Sequence, residues 1–136
     1  MNLERFVEAQ EPVYGRVCEE LQRGEKRSHW MWFIFPQVAG LGHSEMARRY
    51  AIASLSEAQA YLEHPVLGRR LRECVTILNG VEGRTISQIL GYPDDLKLRS
   101  CLTLFARAAS DNALFLAALK KYYSGHEDPA TLELLK

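Results

Sequence analysis

The chain has 136 residues, 47% of them hydrophobic and 25% charged, a composition that excludes disorder and suffices for one buried core. Seventeen cations balance seventeen carboxylates, so the cationic excess of a dedicated duplex binder is missing and nucleic acid is an unfavoured partner. The three cysteines, Cys18, Cys74 and Cys101, form no CxxC pair and suit reduced thiols in the cytoplasm.

Taken in order, the chain is punctuated for helices. Asn2 can cap a first helix carrying Leu3, Phe6 and Val7, and Pro12 both closes it and opens the next. Val13, Tyr14, Val17, Cys18 and Leu21 recur at three- and four-residue spacing, and Gly24 follows as a left-handed cap. Ser28 is the expected cap of a helix over 29–35 that Pro36 stops, although so short an aromatic run also reads as a strand. No other segment offers a strand to pair with it, which favours the helix.

Residues 37–43 read as a loop punctuated by Gly40 and Gly42. Ser44 is expected to cap a helix over 45–53 and Ser56 one over 57–63. Pro65 opens a helix over 66–78, with Leu67, Leu71, Cys74, Val75 and Leu78 inward, and Gly80 and Gly83 bracket the turn after it. Thr85 caps 86–90, ended by Gly91. Pro93 with Asp94 and Asp95 starts a strong helix whose stripe is Leu98, Leu102, Phe105 and Ala109. Asp111 or Asn112 begins the next, through Leu116, Leu119 and Tyr123, and Asp128-Pro129 opens the last. The expected architecture is all-α: a single compact domain over 1–136 with about eight or nine helices and no significant sheet.

Residues 26–42 concentrate both tryptophans and two of the five phenylalanines behind Lys26, Arg27, Ser28 and His29. A ligand pocket is one use of that segment. Trp30 and Trp32 would stack on a flat ligand, and His29 would exchange protons near neutral pH. Lys26, Arg27 and Ser28 before a helix start, with Gln37 in the loop, would hold an anion. The start of the Pro93 helix adds Lys97 and Arg99 for charge, and Asp94 or Asp95 as a base. Structure alone also explains these residues: an aromatic core helix, a solvated turn, and ion pairs Asp95–Arg99 and Asp94–Lys97.

Other constellations are weaker. Cys101, His29 and Asp94 can be drawn as a triad, but Cys101 lies beside Leu102 as a small buried hydrophobe would. His29, His43, His64 and His126 show no HExxH spacing, so no metal centre is expected. Arg48-Arg49 and Arg69-Arg70 read as solvated helix faces. The opening residues lack the build of a signal peptide, and the apolar run 30–35 is far short of the about 20 residues a spanning helix needs, so no membrane partner is expected.

The string from Ser28 through Trp30, Trp32, Pro36 and Gln37, followed by Gly40-Leu41-Gly42, resembles the domain of unknown function family 1810, a family of small helical bacterial proteins. Phe6 with Ala9-Gln10 and Tyr14, Tyr50-Ala51-Ile52, the run His64 to Gly68, the run Gly91 to Ser100, and Thr103-Leu104-Phe105 resemble it too, so the likeness spans nearly the whole chain. It implies an all-helical single domain and no particular activity. Arg69 replaces a frequent proline of that family and Cys101 a common serine, which counts against catalysis at either. The functional expectation is a cytosolic protein binding a planar anion such as a nucleotide or an ADP-ribose-like molecule, with catalysis and cofactors left open. The alternative is a protein-interaction module that exposes the aromatic segment 29–35. A monomer or weak homo-oligomer is expected in either case.

Overall fold

A computed structural model describes residues 2–136. Ten helices run along them: α1 (Glu4–Gln10), α2 (Tyr14–Arg23), α3 (Met31–Ile34), α4 (Glu45–Arg49), α5 (Leu55–Glu63), α6 (Leu67–Gly80), α7 (Ile86–Leu90), α8 (Asp94–Ala108), α9 (Ala113–Tyr123) and α10 (Pro129–Leu134). The one β feature among the described residues is an isolated parallel bridge between Val38 and Ile52. The fold is all-α, with one hydrophobic cluster joining its helices.

Helix α8 is the axis of that cluster. It packs on α5, α7, α9 and α10, and from Ser100 to Ala106 every residue is buried. A helix buried all round cannot keep a polar face in water. Its Ser100 and Thr103 hydroxyls therefore bond back to the carbonyls of Leu96 and Arg99 and meet Asp128 of the α10 cap. Helix α6 forms the second layer against α2, α5 and α9, with the five inward residues of the predicted stripe all buried. Aromatic rings thread the interior. Tyr50 contacts Phe6 at 5.8 Å, Phe6 meets Tyr61 edge-on at 5.1 Å, and Tyr61 lies 5.2 Å from Phe105.

Several caps stand as expected. Gly24 ends α2 at φ 71°, Ser44 accepts from the Ala47 N–H, Thr85 makes a reciprocal capping box with Gln88, and Asp128 accepts from the Thr131 N–H. Others move. No side chain caps α1 or α2; Leu3 and Val13 hold those positions, and Pro12 lies in the turn. Helix α4 stops at Arg49 instead of running to residue 53, because Tyr50 and Ile52 are drawn inward and Ile52 bonds residues 37 and 39. The cap of α5 is Ser54, not Ser56. On α9 the inward residues are Phe115, Ala118 and Leu119, while Leu116 is exposed.

Candidate functional site

The aromatic segment is interior. Trp30, Met31, Phe33, Ile34 and Phe35 are buried, Trp32 is half-buried and His29 is exposed. That burial removes the exposed aromatic surface on which the interaction-module reading depends. Its short helix begins later than expected, at Met31, with Trp30 in the cap position and no side-chain cap. Ser28 does not cap it because Ser28 is engaged elsewhere.

The residue that engages it is Glu20 of α2, 6% exposed. Its carboxylate accepts from the Arg27 N–H at 2.9 Å, the Ser28 N–H at 3.1 Å, the Ser28 hydroxyl at 2.6 Å and the Trp30 Nε1–H at 2.9 Å. Burial alone would raise its pKa, but these donors overcome it and hold the group down at about 2. Glu20 thus folds the α2–α3 connection around itself and uses the polar edge of Trp30, whose ring is closed in by Phe35. The Trp30 faces are not open to a stacking ligand.

Lys26 crosses to α8. Its ammonium lies 3.0 Å from Asp94 Oδ2 and 5.0 Å from the Trp30 ring centroid, and its side chain is 8% exposed. Lys97 approaches the other oxygen of Asp94 at 3.8 Å and stands 5.8 Å from the Trp32 ring. One carboxylate thus bridges two ammonium groups, and it ties the aromatic segment to the start of α8 as the sequence suggested.

Beside this bridge lies a cavity of about 190 Å³. Its wall is aromatic at Trp32, Phe35 and Tyr50, polar at Gln37 and cationic at Arg48 and Lys97. The exposed Ala39, Gly40 and Arg48 mark its mouth. Two glycines shape that mouth. Gly40 adopts φ 106°, where a side chain is strained, and a Cβ there would sit 3.2 Å from a Leu134 methyl of α10. A Cβ on Gly42 would come within 2.5 Å of Ala47 Cβ, so the loop can fold onto α4 only with glycine at that position.

The remaining predicted site residues lie outside the cavity. Arg27 pairs with Glu25 in solvent. Asp95 accepts from the Ser87 hydroxyl, and the expected Asp95–Arg99 pair does not form. Arg99 instead donates to the carbonyls of His126 and Glu127, anchoring the α9–α10 connection. Cys101 is buried, and burial pushes its thiol pKa well up, which rules out the triad with His29 and Asp94. Arg48 and Tyr50 are the wall residues that sequence reasoning missed. The available signal was the paired glycines followed by the Ser44 cap, which returns the next turn of helix toward the loop.

The sequence profile of DUF1810, a family of proteins of unknown function, matches residues 1–135. The chain belongs to the DUF1810 family. The conserved hypothetical protein Rv1873 from Mycobacterium tuberculosis has a similar crystal structure, with 60% sequence identity, a TM-score of 0.97, and coverage of 98% of this chain and 95% of that one. No curated protein matches the chain. Within this DUF1810 member, segments that carry the resemblance converge on one place. The runs 28–37, 40–42, 50–52 and 91–100 all contribute residues to the cavity wall.

Proposed function

We propose that the cavity between α3, α4 and the start of α8 binds a small planar anion. The observation that carries this is its lining among the described residues: two cations, Arg48 and Lys97, and no carboxylate, beside the half-buried ring of Trp32. Asp94 neutralises at most one of Lys26 and Lys97, so the surroundings favour a negative ligand. At about 190 Å³ the space is smaller than the roughly 300 Å³ at which sites for drug-sized ligands begin. It suits one ring, such as a nucleobase or a ring carboxylate, with any phosphate of a nucleotide or ADP-ribose-like ligand left at the mouth beside Arg48.

Binding is better supported than proton transfer. Among the described residues the wall contains no histidine, thiol or carboxylate, and both oxygens of Asp94 face ammonium groups. Three free cysteines accord with a reducing cytosol as the setting of this activity.

The test is a thermal-shift series with AMP, ADP-ribose, ring carboxylates and inorganic phosphate, run on wild type, Lys97→Met and Arg48→Glu. A ligand at a hundredfold excess over its Kd stabilises the native state by about 2.7 kcal/mol, and both substitutions should remove that gain. A flat response to every anion in wild type, or a gain that survives both substitutions, overturns the proposal.

A further inference from the structure

Most polar side chains of the cavity wall are claimed by no residue of the fold. Lys97 has Asp94, but the Trp32 Nε1–H, the Gln37 amide, the Arg48 guanidinium and the Tyr50 hydroxyl have no partner among the described residues. Water can serve the half-buried Trp32 and the exposed Arg48. Tyr50 differs. It is 7% exposed, with its ring edge-on to Phe33 at 5.4 Å and tilted on Phe6 at 5.8 Å. Phenylalanine would pack there as well, whereas an unpaired phenol inside a fold gives up its water for nothing. The hydroxyl is not sealed in: the fully enclosed side-chain atoms without a partner are Arg70 Nε and Asn79 Oδ1. The cavity is the void that Tyr50 lines, so its hydroxyl opens there.

Gln37 stands on the neighbouring length of chain. Its carbonyl accepts from the Ile52 N–H at 2.9 Å, the Ala39 N–H donates to the Ile52 carbonyl at 2.8 Å, and Val38 bridges Ile52. Residues 37–39 therefore lie along 50–52, which pins the Gln37 backbone and leaves its half-buried amide free at the wall. A primary amide presents an acceptor and a donor side by side. Its complement is a ring edge with a donor beside an acceptor, as on a nucleobase.

Given the anion-binding reading of the cavity, on which this rests, we infer that Gln37 and Tyr50 select a nucleobase-like ring with an amide or amidine edge over a ring carboxylate. Gln37 Oε1 accepts the ring's N–H or amino hydrogen, and Nε2–H donates to the adjoining ring oxygen or nitrogen. The Tyr50 hydroxyl donates to a further acceptor of the same ring. A ring carboxylate offers acceptors only, so it leaves Gln37 Oε1 desolvated and without a donor. Arg48 and Lys97 supply attraction for the charge, and the two neutral groups supply the choice of ring.

The test is isothermal titration calorimetry on the full chain with two matched pairs of nucleotides. AMP is compared with purine riboside 5′-monophosphate, which lacks the 6-amino group and adds no bulk, and UMP with its N3-methyl derivative. Benzoate and ribose 5-phosphate are run beside them. In at least one pair the parent should bind on the order of tenfold more tightly than its twin, and more tightly than benzoate. Gln37→Met should bring that parent down to the level of its twin. Tyr50→Phe should weaken AMP and its twin alike, since both keep ring-nitrogen acceptors, and leave ribose 5-phosphate and the urea midpoint unchanged. Equal affinities within both pairs overturn the inference with no substitution needed. Benzoate binding as tightly as the parents, a parent indifferent to Gln37→Met, or a lowered urea midpoint in Tyr50→Phe overturns it too. In each of those cases the anion reading stands if Arg48→Glu abolishes binding. Silence from every probe, or binding indifferent to Arg48→Glu, overturns that reading and this inference together.

Discussion

Trp30 and Trp32 stand two residues apart at the start of the same short helix, and they have opposite fates. Successive even positions on a helix point to opposite sides, so one indole turns to the interior and the other to the cavity. The interior indole finds a permanent acceptor in Glu20 at 2.9 Å. The other faces Lys97, and its Nε1–H has no partner among the described residues. An aromatic ring whose polar edge is satisfied within the fold becomes scaffold. A half-buried ring whose edge no residue of the fold claims can turn that edge to solvent or to a ligand.

This contrast can be broken by stability measurements. Trp30→Ala should cost about 3–5 kcal/mol in chemical denaturation, because a fully buried indole leaves a void and takes one of its four donors from the Glu20 carboxylate. Trp32→Ala should cost under about 1.5 kcal/mol, in keeping with partial burial. Equal losses would make both rings scaffold and end the distinction.

Acid should act on the interior side first. The Glu20 pKa falls from 4.5 to about 2 on folding, so its contribution is complete above pH 4.5 and is lost as pH drops from there toward 2. The loss amounts to about 3 kcal/mol over that window. Urea titrations at stepped pH should show it, and Glu20→Gln should flatten the slope. An unchanged slope in that variant would place the acid sensitivity elsewhere.

Smaller effects belong to the seam between the two regions. Lys26→Met should cost about 1–2 kcal/mol by leaving a half-buried Asp94 to the more distant Lys97. Arg48→Glu should change stability by no more than about 0.5 kcal/mol while abolishing anion binding, read by the same thermal-shift series. A large stability loss from Arg48→Glu would show the mouth to be structural.

Much of the helical frame was legible in the sequence because its signals are local. Thr85 with Gln88, Asp128 with Pro129, and Gly24 each carry their cap within four residues, and the α6 stripe repeats at helical spacing. The misplaced α5 start has a local cause too, since Ser54 and Ser56 both precede a well-placed Glu or Gln by three residues. The end of α4 was hidden because the pull on Ile52 comes from residues 37 and 39 across the loop, and that on Tyr50 from the rings of Phe6 and Phe33.

For the candidate site, the sequence suggested that the aromatic segment and the α8 start come together, and Lys26, Asp94, Lys97 and Trp32 do so. It could not show that Glu20 claims Ser28 and Trp30, since nothing in an amphipathic α2 marks one glutamate as buried. Nor did the arginine pair of α4 show which member turns inward; Arg48 became a wall residue because Gly42 lets the loop close on Ala47.

The seat of Gly40 under Leu134 links the cavity to α10. Local opening of α10 would withdraw the Leu134 methyl groups that pack over Gly40, and would in that way couple the proposed anion site to the docked helix. An anion that tightens the loop should therefore slow amide hydrogen exchange in α10, although no α10 side chain lines the cavity. By the same reciprocity, Leu134→Ser should weaken anion binding from a position about one side chain away from the wall.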